Sequence, residues 1–281
     1  MKRFSYRGSR AAVLLAGLVP LVVSQLGVAG EMTYRDIARR YMKNKDGAAV
    51  AKEIGFSKPV KHVVALDYTI LLRGKDGVEK AVDVEKHQFR MGDQIRLRIE
   101  PLSNACIYIF HEGASGQRVC LLPTEQEVPP SVKGGETLAL PDDGYFEFVD
   151  PPGKEKLLVV ATEKPIADLA LLSNVVFKKP GDTLTPEEQK IKDTFTATVN
   201  KTLESIRNRN NESITFRGLP SKESKAGFAA KVKKSQTSRA VIQEPPHGKA
   251  TGTFTMVAST DKRPNLYVSI PLTSVRSKPA P

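Results

Sequence analysis

From Lys61 to Thr162 apolar and polar residues alternate with a period of two, in runs of five to a dozen residues separated by Gly, Pro, Asp and Asn. That is the pattern of half-buried strands and turns. HVVALDYTILLR and VEKAVDVEK flank GKDG, so Gly74 to Gly77 reads as a hairpin turn in which Asp76-Gly77 tolerates positive φ. Further strands are predicted over Phe89 to Glu100 (with Gly92-Asp93 as a kink), Ala105 to His111, Arg118 to Leu122, Thr137 to Leu140, Tyr145 to Val149 and Lys156 to Thr162. Eight strands joined by short connections without a helical crossover require antiparallel pairing. The expected fold class is therefore an all-β core, an antiparallel β-sandwich of immunoglobulin-like kind, flanked by N-terminal and C-terminal helices.

Outside this stretch the period becomes helical. Tyr34, Ile37, Ala38 and Tyr41 share one face of a short amphipathic helix over Thr33 to Met42, and a second helix, Gly47 to Ile54, stops at Gly55. Thr185-Pro186-Glu187-Glu188 is a capping box, and Ile191, Phe195, Val199, Leu203 and Ile206 carry the helix behind it to about Arg209. Ala167 to Val176 reads equally as helix or strand. The domain organisation that follows is 1–29 signal peptide, 30–59 helical segment, 60–165 β-sandwich, 166–210 helical segment, 211–250 basic linker and 251–281 C-terminal β-hairpin and tail. The linker reading rests on the Lys and Ser content of LPSKESKAGFAAKVKKSQTS, and the hairpin on Thr253 to Ala258 and Leu266 to Leu272 flanking STDKRPN.

Charge changes the picture only when divided along the chain. The formal net charge is +12, but residues 1–29 carry +4 and residues 217–281 carry +9, which leaves −1 for residues 30–216. The central module is neutral, and nucleic acid is not an expected partner, because the basic run lacks interleaved aromatics apart from Phe228. MKRFSYRGSR followed by the apolar Ala11 to Val23 and the small residues near Ala29 has the layout of a secretory signal peptide. Pro20, Ser24 and Gln25 interrupt it as a membrane span, so no stable transmembrane anchor is expected and the mature chain is placed in the periplasm or outside the cell. The basic tail offers a tether or a contact to an anionic surface.

Export places Cys106 and Cys120, the only cysteines, in an oxidising compartment. If Phe110 pairs with Gly116, the two cysteines face each other and can bond; if Phe110 meets Val119, Cys106 faces Pro123 and both remain separate buried thiols. Both registers stay open. Catalytic and metal-binding patterns are not found. His62, His87, His111 and His247 are dispersed, Gly113-Ala114-Ser115-Gly116 lacks a nucleophile frame, Asp142-Asp143 suits a turn, and Gly134-Gly135 is not a phosphate loop. No catalytic residue, metal or cofactor is assigned. Recognition residues are sought instead among His111, Glu112, Tyr108 and Tyr145 at strand ends and turns.

GDQIRLRIEPL, IYIFHEGASGQRVCLLP, VKGGETLALP and PPGKEKLLVVATEKP, in that order, resemble the bacterial family catalogued as domain of unknown function 4384, over about residues 85 to 165. Phe110, Gly116, Leu122-Pro123, Leu140-Pro141 and Glu163-Lys164-Pro165 fill the positions that carry the likeness. The resemblance implies an exported or enzyme-appended accessory module and brings no catalytic residues. The expected function is non-catalytic protein recognition in the cell envelope. A cell-wall or glycan-binding module is the alternative, with Tyr68, Tyr108, Tyr145 or Tyr267 as platform in a chain without Trp, and a hydrolase the third.

Overall fold

The computed structural model describes residues 32–114, 116, 118–123, 131–166, 186–247 and 251–276, with backbone alone for 187–196 and 198. The expected signal segment, Ala167 to Val176, Thr185 of the capping box, and Ser115 lie outside the described residues.

Two sheets enclose one apolar core. The first is ordered β11-β12-β13-β1-β4-β8, with β2 on β1 and β9 on β4; its strands are β1 (His62–Arg73), β2 (Glu79–Val82), β4 (Gln94–Pro101), β8 (Leu138–Leu140), β9 (Phe146–Glu147), β11 (Ile214–Arg217), β12 (Arg239–Glu244) and β13 (Thr253–Ser259). The second is ordered β3-β14-β10-β5-β6, with β7 on β5; its strands are β3 (Phe89–Arg90), β5 (Ala105–Glu112), β6 (Arg118–Leu122), β7 (Ser131–Val132), β10 (Lys154–Thr162) and β14 (Leu266–Val275). Leu66, Tyr68, Ile95, Leu97 and Ile99 of one sheet meet Ile107, Ile109, Leu157, Val159, Val268 and Ile270 of the other. All eight strands read from the alternating pattern are present. Gly77 accepts the hairpin conformation at φ +77°, and the kink at Gly92 has φ +86°.

Helices cover the outer face of each sheet. α1 (Tyr34–Asn44) and α2 (Gly47–Ile54) are capped by Thr33 and Asp46, and α2 ends on a left-handed Gly55. With α4 (Lys222–Ser235) they bury Tyr34, Ile37, Val50, Ile54, Phe228 and Val232 on Ala65, Ile242, Phe254 and Met256 of the first sheet. A Cβ at Gly55 would lie 2.3 Å from the Ala229 carbonyl oxygen, so this residue sets how closely α2 and α4 approach. α3 (Pro186–Asn211) lays Val199, Leu203 and Ile206 on Tyr108, Phe110, Leu158 and Val160 of the second sheet.

This architecture corrects the all-β, immunoglobulin-like expectation: the fold is mixed α/β, with open sheets and four helices among the described residues. The pairing is mostly antiparallel, but β11 runs parallel to β12 and β3 parallel to β14. The basic linker expected over 211–250 is also corrected, because β11, α4 and β12 form a strand–helix–strand crossover there. α4 buries only Phe228 and Val232, too thin a stripe to stand out in a Lys-rich sequence. Its Lys225 pairs with Glu53 at 3.3 Å and donates to the Met32 carbonyl, so some of the basic charge is spent inside the fold rather than on a free tail.

The C-terminal hairpin does not form either. β13 lies between β1 and β12 in the first sheet, whereas β14 lies between β10 and β3 in the second, so the Thr260 to Asn265 connection passes from one sheet to the other. β13 has buried residues on both faces, a demand that a pair docked by one face cannot meet, and β14 buries one face, Leu266, Val268, Ile270 and Leu272, in the inter-sheet core. The body from residue 32 onward is one compact unit.

Two consequences are measurable. A chain ending at Arg209 lacks β12, β13 and β14 and is expected to show no cooperative thermal transition by circular dichroism; a folded product would refute the interior placement of these strands. The second concerns Glu244, fully buried, which accepts a 2.7 Å bond from the Tyr34 N–H while its other oxygen has no hydrogen-bond partner among the described residues. Burial raises its pKa above the ordinary carboxyl value, against the opposing Tyr34 bond and the charges of His247 and Arg35. The folded state therefore holds this proton to higher pH than the unfolded chain, and the associated stability is present at low pH and lost as pH rises above the usual carboxyl range. Against Glu244→Gln, the wild-type melting temperature should fall by several degrees between pH 4 and pH 7.

Candidate functional site

One end of the two-sheet body is built from two turns that the sequence specifies locally and from the end of a strand. The β1–β2 hairpin closes through Gly77 N–H to the Gly74 carbonyl at 2.9 Å. The bend after β3 is held by the Arg90 N–H donating to the Asp93 carboxylate at 2.8 Å, and by Gly92 N–H donating to the Phe148 carbonyl at 2.8 Å. The end of β14 joins them, with Val275 opposite Arg90.

Between these turns lies a cleft of about 870 Å³ lined by Arg73, Lys75, Arg90 and Arg276, with Gln88, Asp93 and Gln94. Among the described residues Lys75, Arg90 and Arg276 have no ion-pair partner, and Asp93, the cleft's acid, is engaged by its own loop. Arg73 donates to Gln94 at 2.9 Å, and Gln94 in turn to Glu147 at 3.0 Å. Tyr145 is held between two guanidinium groups, Arg73 at 4.8 Å and Arg96 at 4.7 Å from the ring centroid, a cation–π arrangement that stiffens the rim. Arg96 is fixed by the Gly144 carbonyl at 2.7 Å and by Glu79 at 3.2 Å. Exposed Val78, Val149 and Val275 stand beside these turns, three of the five large apolar side chains the described surface exposes. A basic hollow with an apolar, aromatic border is a surface suited to an acidic polypeptide.

The residues proposed from sequence separate into three groups. Tyr145 belongs to this end, as described. His111 and Glu112 close β5 nearby: His111 Nε2 is 2.6 Å from the Glu155 carboxylate, while Glu112 pairs with Arg118 at 2.8 Å and Lys156 at 3.0 Å. Burial pushes the Glu112 pKa up, but the bonds from Lys156 and Arg118 outweigh it and hold the carboxyl below its ordinary value. Tyr108 is a correction. It is fully buried beneath α3 and its hydroxyl accepts the Ile166 N–H at 2.8 Å, so it cannot meet a partner. Tyr68 is buried too, with its hydroxyl taking a bond from Gln243.

Both expected cysteine registers are corrected. β5 and β6 pair Phe110 with Cys120 and His111 with Val119, and a bulge after Ile109 shifts the remainder. Cys106 faces Thr162 and Ser131, and both cysteines are free. The turn sets a register one residue beyond the second reading, which residue types alone do not distinguish. Burial raises both thiols, Cys120 to about 12.

The other histidines stay apart. His62 lies 3.4 Å from Glu163, His87 meets Phe89 edge-on, and His247 contacts the Pro245 carbonyl. Among the described residues no group of three or more His, Cys, Asp or Glu is placed to hold a metal, and no helix is long and apolar enough to cross a membrane. Sequence reasoning missed Arg73, Arg90, Arg276 and Glu155. The one signal for Glu155 was a carboxylate at an inward position of a strand that continues Leu157, Val159, Ala161.

Free, raised thiols should label slowly. With Ellman's reagent at pH 8, the folded chain is expected to release well under one equivalent of thiolate in the first minutes and two after denaturation; a single disulfide would release none in either state.

No curated protein and no solved structure matches the chain. Residues 88–165, which contribute β3 to β10 and with them the bend after β3 at the basic end, match the family model described as domain of unknown function (DUF4384).

Proposed function

We propose that the protein is an exported, non-catalytic recognition module of the cell envelope that holds an acidic segment of another envelope protein in its basic end. The observation that carries the reading is the cleft itself, where Arg73, Lys75, Arg90 and Arg276 gather round a single acid, Asp93, that its own loop already engages. Local accumulation of like charge costs self-repulsion, and an anionic partner relieves it. Arg73, Arg90 and Arg276 present planar forks suited to carboxylates, and the bordering valines provide apolar contact that a purely ionic surface lacks. The basic, then apolar, then small-residue order of the first 29 residues supports export.

The test is a titration of the chain with Glu- and Asp-rich peptides that contain Val or Leu, against neutral and Lys-rich peptides of equal length. Acidic peptides should bind selectively, with affinity that falls as salt rises. Arg90→Glu with Arg276→Glu should weaken binding about tenfold or more while leaving the melting temperature within a few degrees. Equal binding of basic peptides would reject the reading. Retention on cell-wall polysaccharide that survives the double substitution would favour the glycan alternative, and turnover of a hydrolase substrate lost on changing His111 would favour an enzyme.

A further inference from the structure

The inter-sheet core ends unlike it begins. Along β5 the inward side chains run Ala105, Ile107, Ile109 and then His111; along β10, read back from Ala161, they run Val159, Leu157 and then Glu155. Leu157 pairs with His111, and Glu155 with Leu272. Two ionisable groups thus occupy the last inward positions of two adjacent core strands, where the pattern would place apolar residues. Behind them is a cavity of about 220 Å³ lined by Ile95, Leu121, Phe146, Phe148, Leu157 and Leu272.

We propose that this cavity is a binding site for a small primary amine on a short apolar chain, with the ammonium on Glu155 and His111 and the chain on Ile95, Leu157 and Leu272.

The polar groups decide the charge of the head. At 2.6 Å from a carboxylate oxygen, which only accepts, His111 Nε2 carries the proton of that bond. In the neutral ring the remaining nitrogen, Nδ1, is then an acceptor, as is the second oxygen of Glu155. Both sites left to a ligand accept hydrogen bonds and one bears negative charge, which selects a cationic donor over a carboxylate. Among the described residues no Lys or Arg lines the cavity to supply that donor internally. The apolar walls decide the body, and at ~30 Å³ for each water-sized atom the volume takes about seven heavy atoms, the size of a six-carbon amine. Phe146 and Phe148 add aromatic surface, a favourable neighbour for a cation. The site is independent of the acidic-partner reading, since it needs none of the cleft's arginines.

The probe is n-hexylamine, titrated into the full chain by calorimetry and by NMR, with n-hexanol and hexanoate as controls. Saturable 1:1 binding is expected for hexylamine, about tenfold weaker or less for hexanol, and least for hexanoate. Glu155→Gln should weaken hexylamine about tenfold or more and leave hexanol unchanged, and Leu121→Phe, which fills part of the cavity, should weaken both. Arg90→Glu should affect neither. Nα-acetyl-lysine methylamide separates the sources: binding as tight as hexylamine identifies a lysine side chain of a partner as the occupant, and weaker binding a free amine. Hexanoate binding equal to or tighter than hexylamine, or no saturable binding of hexylamine, would overturn the proposal whatever the variants do.

Discussion

The constraint on which the fold depends is that the last third of the chain supplies interior strands to both sheets. β1 is satisfied on one side by β4 but on the other by β13 along His62 to Tyr68, with β2 taking only its last four residues, and β10 by β5 on one side and by β14 on the other. Removing β13 and β14 would leave Val64, Leu66, Val159 and Ala161 beside unpaired backbone groups in the middle of a core, where each lost hydrogen bond carries its full desolvation penalty. The segment from 88 to 165 that the family model covers is therefore not a closed body in this chain. It is two partial sheets, and it becomes a core when β1, β13 and β14 complete them.

The same constraint explains which parts of the fold were legible. Period-two runs announced their strands because a half-buried strand must alternate. A second signal lay in IYIF and LLVVA, whose near-continuous apolar character means that both faces are covered. α3 provides that cover for β5 and β10, and α1, α2 and α4 provide it for the first sheet. Short antiparallel connections pointed to a sandwich, yet unbroken runs cannot belong to a sandwich with solvent on its outer faces. α4 was illegible for the opposite reason: two buried side chains suffice to dock it, so twelve of its fourteen residues are free to be basic, small or polar.

Register and long-range assembly were beyond reach for a different physical reason. One bulge between Ile109 and Phe110 moves every later partner by a residue, and nothing in the sequence of β5 or β6 marks it. His111 stood out as a polar residue at the end of an apolar strand, but Glu155 lies 44 residues away and meets it only because β5 and β10 are neighbours. The basic end draws on residues 73–77, 88–94 and 275–276, so composition taken in consecutive windows averages it away.

The two features of this end follow from one geometric fact: strand ends are where a two-sheet core must stop. Inward side chains there are covered by a neighbouring sheet on one side and by nothing regular beyond, so polar groups become affordable and an opening can persist. At the opposite end of β1, His62 and Glu163 spend the same freedom on each other, 3.4 Å apart. At the basic end His111 and Glu155 also pair, but an apolar cavity lies behind them and four cations lie beyond the neighbouring turn. A hydrogen-bonded His–Glu pair over a filled core closes that core; the same pair over an apolar cavity leaves apolar walls exposed to solvent, at a cost of roughly 25 cal/mol for each Å² left wet. An apolar group entering the cavity would recover that cost, which is the physical ground for proposing binding at this end rather than at the opposite one.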